Sequence, residues 1–232
     1  MKTSQLLLHP VKILAIGATC LCASAVSAFA TNITLFNTGV DATGTPLPDG
    51  TIGDPHYSLV ATPSGSTSDI RVRTSAGGFP IPPWQGDDSL SAWIGPNNDS
   101  MVDGPAGTYD YRTTFNLSGL DPATASISGV WAVDDSGLDI LLNGSSTGNP
   151  NGTIFTFTSF SIPQGSPFVS GVNTLDFLVS NVSGPTGLRV EMTGQASPAA
   201  VPESPTLTLL TIGVGVLLVG CRLMKKEVAL RA

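Results

Sequence analysis

The chain has 232 residues and a formal net charge of −7, with 26 glycines, 18 prolines and three cysteines. Between Thr31 and Ala200 the imbalance deepens, with four arginines, no lysine and fifteen acids giving −11. Such a surface repels phosphate backbones, which excludes nucleic acid as a partner, while the length suits one domain with a proper core.

At the N-terminus Lys2 and Lys12 flank a start that continues as the apolar stretch Ile13 to Cys22 and then small residues. Ala28-Phe29-Ala30 fits the small-x-small cleavage rule, so residues 1–30 read as a signal peptide and the mature chain starts at Thr31. Cys20 and Cys22 do not follow the run that precedes a lipoprotein cysteine. With Cys221 in the tail, no cysteine remains in the domain to form an internal disulfide.

Strand-like runs then recur between Gly, Pro, Asn and Asp. They are Thr31–Phe36, Tyr57–Ala61, Ile70–Arg73, Thr108–Leu117, Ala125–Val133, Leu138–Leu142, Thr153–Phe160, Asn173–Val179 and Gly187–Thr193. The period of two is clearest in the fourth, where Tyr109, Tyr111, Thr113, Phe115 and Leu117 share a face. Short strands without an amphipathic helix predict an all-β, antiparallel β-sandwich over residues 31–196. Gly77 to Gly107 reads as one long irregular segment, and loops of that length are functional or disordered.

Candidate chemistry is sparse. His56 is the domain's one histidine, no Gly-x-Ser-x-Gly elbow accompanies it, and a structural role beside Asp49 or Asp54 is expected. Asp87-Asp88 and Asp134-Asp135 are adjacent pairs, whose side chains diverge if they lie in strands. Acids in loops suit a structural calcium, with Asp99, Asp103, Asp134 and Asp135 as candidate ligands, but none follows a helix-loop-helix calcium spacing. Trp84 and Trp93, with Asn97 and Asn98 nearby, form a candidate sugar-binding set; a core role for both tryptophans is the competing reading. Trp131, on an expected strand, reads as core.

Ser197–Pro205 is a linker, followed by an apolar run, 206–224, and a basic tail, 225–232. Thr206 to Cys221 spans about 24 Å as a helix, at the short end for a bilayer, and Arg222, Lys225 and Lys226 would snorkel and hold the C-terminus in the cytoplasm. A buried C-terminal helix is the alternative, disfavoured by Gly213, Gly215 and Gly220.

The tail resembles the PEP-CTERM sorting signal of Gram-negative bacteria. Val201, Pro202 and Glu203 match its motif, with proline arriving one residue late as Pro205, and the apolar helix and Arg222, Lys225 and Lys226 complete it. The resemblance implies an exosortase-type membrane protease/transpeptidase as partner, the inner membrane as a temporary anchor, and a tie to exopolysaccharide and biofilm. The second half of the domain resembles the galactose-binding-like jelly roll through Trp131, Ala132, Asp134, Asp135, Asn143, Gly144, Gly171, Asn173 and Leu175. Together these features lead to the expectation of a non-catalytic exported surface or extracellular-matrix protein, not an enzyme, with polysaccharide as its candidate ligand. The alternatives are a secreted glycan hydrolase using paired carboxylates and a purely structural coat subunit.

Overall fold

The computed structural model describes residues 29–97, 100–151, 155–200, 212–219 and 222, without the side chains of 100 and 101. Ala28, Asn98, Asp99, Val201, Pro202, Glu203, Lys225 and Lys226 lie outside the described residues. So does most of the expected membrane span 206–224, of which residues 212–219 and 222 are helical. Among the described residues no helix is long and apolar enough to cross a membrane.

Eleven strands build two antiparallel sheets that face one another. They are β1 (Thr31–Asn32), β2 (Tyr57–Ala61), β3 (Ile70–Arg73), β4 (Trp93–Pro96), β5 (Gly107–Asn116), β6 (Ser126–Asp134), β7 (Ser136–Leu142), β8 (Ser145–Ser146), β9 (Thr158–Ile162), β10 (Val172–Asn181) and β11 (Gly187–Ala196). The first sheet runs β3-β4-β11-β6-β9, with β1 also paired to β11; the second runs β2-β5-β10-β7-β8. One short helix, α1 (Ser100–Asp103), follows β4. The structure is thus a β-sandwich.

Alternation decides what each sheet buries. From the second sheet Tyr109, Tyr111 and Phe115 of β5 and Leu175, Phe177 and Val179 of β10 turn inward. Ile127, Trp131 and Val133 of β6 and Leu188, Val190 and Met192 of β11 meet them from the first. Trp131 is fully buried, its ring 5.8 Å from that of Phe177. β7 passes close to it because position 137 is glycine: a Cβ there would lie 2.2 Å from the Trp131 ring.

The Asn-Gly hairpin is a structural latch. Asn143 and Gly144 both hold positive φ, 51° and 78°, as a tight two-residue turn between β7 and β8 requires. The Asn143 side chain accepts from Thr174 N–H and donates to Asn173 Oδ1. Wholly buried Asn173 in turn accepts from Val169 N–H and donates to the Val169 and Gly171 carbonyls. The latch ties the hairpin to the start of β10.

Three expectations shift. The first strand pairs only over Thr31–Asn32, after which the chain follows β11 through single bonds such as Ile33 N–H to Gly194 O and Thr38 N–H to Val190 O. The strand expected at Thr153–Phe160 is placed at Thr158–Ile162, and residues 152–154 lie outside the described residues. The irregular segment contains β4, all four of whose residues are buried. A strand covered on both faces shows no polar alternation to read.

Candidate functional site

The outer face of the first sheet has its own small core. Ile81, Trp84, Trp93 and Ala132 are buried there, with Phe155 and Phe157 packed against them. They sit under the segment between β3 and β4, whose turns are hydrogen-bonded from Gly78 to Trp84. The Trp84 and Trp93 rings lie 4.3 Å apart, and Trp93 Nε1–H donates to Gln85 O at 2.9 Å. Gly187 makes room for this packing, since a Cβ there would come 2.6 Å from the Trp84 ring.

Arg189 of β11 pins the same segment to the sheet. Its side chain is wholly buried, and its guanidinium donates to Gly86 O (2.6 Å), Ser91 Oγ (2.7 Å) and Ser91 O (3.1 Å). It pairs with Asp88 at 2.6 Å, stands 3.7 Å from Glu191, and packs 5.2 Å from the centre of the Phe157 ring. Burial lifts the Asp88 carboxyl, but bonds from the Leu90 and Ser91 N–H groups and the Arg189 charge outweigh it and leave it below its ordinary value. Glu191 goes the other way, raised by burial and by neighbouring Asp88. It also accepts from Ser91 Oγ at 2.8 Å and lines an open groove of about 520 Å³ with Asn37, Leu90, Val130 and Ser159.

The covered end of the face holds a smaller pocket of about 250 Å³. Phe79, Pro80, Pro83, Trp84, Phe155 and Pro185 wall it, and Asp134, Asp135 and Ser183 supply its polar side chains. Asp134, the last residue of β6, is 3% exposed, and its Oδ2 accepts from Trp84 Nε1–H at 2.7 Å. Burial raises its carboxyl to about 7, against the Trp84 bond and with the help of a hydrogen bond to the Asp135 carboxyl and its charge. Asp135 is fixed from the other side, accepting from Val182 N–H at 2.5 Å. A second carboxyl beside a buried one opposes its ionisation, which keeps Asp134 above the ordinary carboxylate range.

The expectation that Asp134 and Asp135 diverge is corrected here. Face alternation holds only within a strand, and β6 ends at Asp134 while β7 begins at Ser136, so Asp135 occupies the bend between them. Of the expected sugar-binding set, Trp84 and Trp93 are 2% and 0% exposed, their faces spent on each other and on the outer-face core. Asn97 is half-buried and donates its backbone N–H to Asp69 O. Of the calcium set, the pocket brings Asp134 and Asp135 together, while Asp103 ends α1, exposed. Among the described residues no group of three His, Cys, Asp or Glu side chains could hold a metal ion. His56 stacks on Phe36 with centroids 3.5 Å apart, its Nε2 lies 3.1 Å from Asp41 O, and its backbone N–H donates to Asp54.

Sequence reasoning placed Trp84 and Asp134 in separate candidate sets and missed the residues around them. Phe79, Pro80, Pro83 and Phe155 carry no motif. Arg189 alternates with Leu188 and Val190 in a strand that also carries Glu191, a pattern that reads as a solvated charge and gave no sign of its burial.

No protein-family model and no curated protein matches the chain. Among solved structures the fold is similar to an apo-form cyclase from Fischerella sp. at 15% identity and TM-score 0.46, covering 74% of this chain and 98% of that one. A Stig cyclase, Fisc, from Fischerella sp. TAU in complex with an indole ligand matches at the same identity and TM-score, covering 74% of this chain and all of the other. A further cyclase from Fischerella sp. TAU matches at 13% identity and TM-score 0.44, covering 75% of this chain and 100% of that one. These neighbours contradict the expectation of a non-catalytic surface or matrix protein. At this identity and TM-score the likeness assigns this chain no activity of its own.

Proposed function

We propose that the domain binds a compact, mainly apolar small molecule in the pocket at Trp84 and Asp134, with the buried Asp134 carboxyl as its polar anchor. The carrying observation is a buried carboxyl, fixed by an indole N–H, among aromatic and proline walls. An apolar enclosure with a few convergent polar groups and a perturbed titrating group is the usual form of a small-molecule site. Its volume, about 250 Å³, equals roughly eight water volumes at ~30 Å³ each, room for a single ring with a short substituent. Binding rather than turnover is the proposal. Ser183 is the pocket's one hydroxyl side chain among the described residues, and His56 lies elsewhere, on Phe36.

The test is fragment screening by NMR on the full chain, following the three indole N–H signals. Pocket ligands move the Trp84 signal and leave that of core Trp131 in place, and Phe79→Ala weakens the effect. A library of single-ring fragments that never moves Trp84 rejects the reading.

The assignment to a galactose-binding-like jelly roll is also a proposal, supported by the Asn143–Asn173 latch at the positions that carry the resemblance. Export through residues 1–30 and sorting through the tail by an exosortase-type partner remain proposals resting on the sequence. Glu203→Ala is expected to block tail processing, read as a mass shift of the mature protein, and unchanged maturation would leave an ordinary anchor.

A further inference from the structure

We propose that the ligand of the Trp84–Asp134 pocket is an organic cation, an amine carried on a small apolar group, held by the carboxyl pair and the surrounding aromatic faces. This rests on the reading of the pocket as a small-molecule site and adds the charge of what enters it.

The pocket's composition favours that sign. Its described lining contains two carboxyls and no basic side chain. The closest cations by sequence and sheet position are already committed. Arg73 of β3 donates to Phe79 O at 2.6 Å and Gly77 O at 2.7 Å, beside Asp49. Arg189, two residues beyond the Gly187 partner of Asp134, is held by Asp88 and Glu191. On the remaining sides stand Trp84 and, past the turn, Asp103, whose neighbour Gly104 bonds to Gly184 beside the pocket. Among the described residues, the pocket lining thus holds no positive group to satisfy a second ionised carboxyl, and an anionic ligand would meet like charge there.

The walls suit a cation as well. Phe79 and Phe155 line the pocket with aromatic rings, and ring faces attract ammonium groups. Pro80, Pro83 and Pro185 add apolar surface with no N–H donor of their own. An anion or a hydrogen-bond acceptor would find few donors here, because Trp84 Nε1–H is already given to Asp134.

Entry of an ammonium has a defined proton balance. Burial raises the Asp134 carboxyl to about 7, so near neutrality this group is partly protonated. An arriving cation favours the ionised pair, the retained proton leaves to solvent, and an N–H···O bond replaces it. Amine affinity therefore rises as pH climbs from 5 through 7 and levels off above, up to the pH at which the amine itself deprotonates.

The experiment titrates the full chain with benzylamine, benzyl alcohol and benzoate, following the Trp84 indole signal at pH 5.5 and 8.0. Benzylamine is expected to bind about tenfold or more tightly than benzyl alcohol at pH 8.0, the worth of a charge-assisted bond, with benzoate weakest. Its advantage shrinks at pH 5.5, and Asp134→Asn brings the amine and the alcohol to similar affinity. Wild-type pH dependence is an independent arm should that variant fold poorly. Equal binding of the amine and the alcohol at both pH values would overturn the cation assignment and leave the pocket standing. Absence of any Trp84 response to all three probes would overturn both.

Discussion

Replacing Asp134 by asparagine isolates the cost of the buried carboxyl. Asparagine keeps a carbonyl to accept from Trp84 Nε1–H and is neutral at every pH, like the protonated acid. In the native protein the group lies at about 7 against an ordinary 3.8, burial being the main cause. A raised acid binds its proton more tightly when folded, so the native state holds more protons than the unfolded chain between these values and stability falls as pH rises through them. At about 1.4 kcal/mol per factor of ten, the gap sets a ceiling of about 4 kcal/mol, of which roughly half is lost between pH 5 and pH 8. The measurement is urea unfolding of wild type and Asp134→Asn at pH 5, 6, 7 and 8, followed by tryptophan fluorescence. The stability difference should swing in favour of the variant by about 2 kcal/mol across that range, with most of the change below pH 7. Contributions from other raised acids such as Asp110, at about 6, cancel in the difference. Parallel profiles for the two proteins would refute the reasoning, since Asp134 would then be ionised and solvated throughout.

Three substitutions probe how the site is held. Arg189→Met strands Asp88 and Glu191 and frees the Gly86 and Ser91 carbonyls, and should cost about 3–5 kcal/mol in urea unfolding, with faster proteolysis between β3 and β4. Gly187→Ala places a Cβ 2.6 Å from the Trp84 ring and 3.1 Å from Ile94 O, so it should cost about 1–3 kcal/mol and shift the Trp84 indole signal as the bond to Asp134 opens. Asn173→Ala removes the centre of the hairpin latch and should cost about 2–4 kcal/mol at roughly 1 kcal/mol per bond, without altering the Trp84 signal.

The sandwich was legible where a strand has one wet face. In β5 the inward tyrosines and Phe115 alternate with Asp110, Arg112 and Thr114, so strand and orientation could both be read. The same rule failed at β4, which is covered on both sides, and at the chain after β1, held to β11 by isolated bonds. The site was legible only as scattered residue types. Trp84 and Asp134 lie fifty positions apart in the chain and meet because the segment after β3 folds back over the outer face of β6. No local periodicity encodes that return. What encodes it is a set of separate fits, Arg189 under the segment, glycine at 187 beneath Trp84, and Ala132 beneath the tryptophan pair.

The register also fixes where the pocket lies relative to the chain ends. β1 pairs Thr31 with Ala196, so the domain's first and last strands meet at one end of the sandwich, where β6 begins at Ser126 opposite Gln195. Asp134 is eight residues along β6, about 26 Å away at ~3.3 Å per residue. A leader and a tail would both leave from the near end, while the carboxyl pair opens at the far one. On the proposed reading, a small cation enters at the end of the sandwich opposite both of the domain's terminal strands. The domain's excess of fifteen acids over four arginines raises the local concentration of such a cation before it reaches the pocket. That long-range pull is screened by salt over about 8 Å at physiological ionic strength, whereas a direct contact with the buried Asp134 carboxyl is screened much less. Raising the salt concentration should therefore slow benzylamine association and leave its dissociation rate nearly unchanged. A dissociation rate that climbs with salt would place the ligand's charge in solvent, outside the aromatic walls.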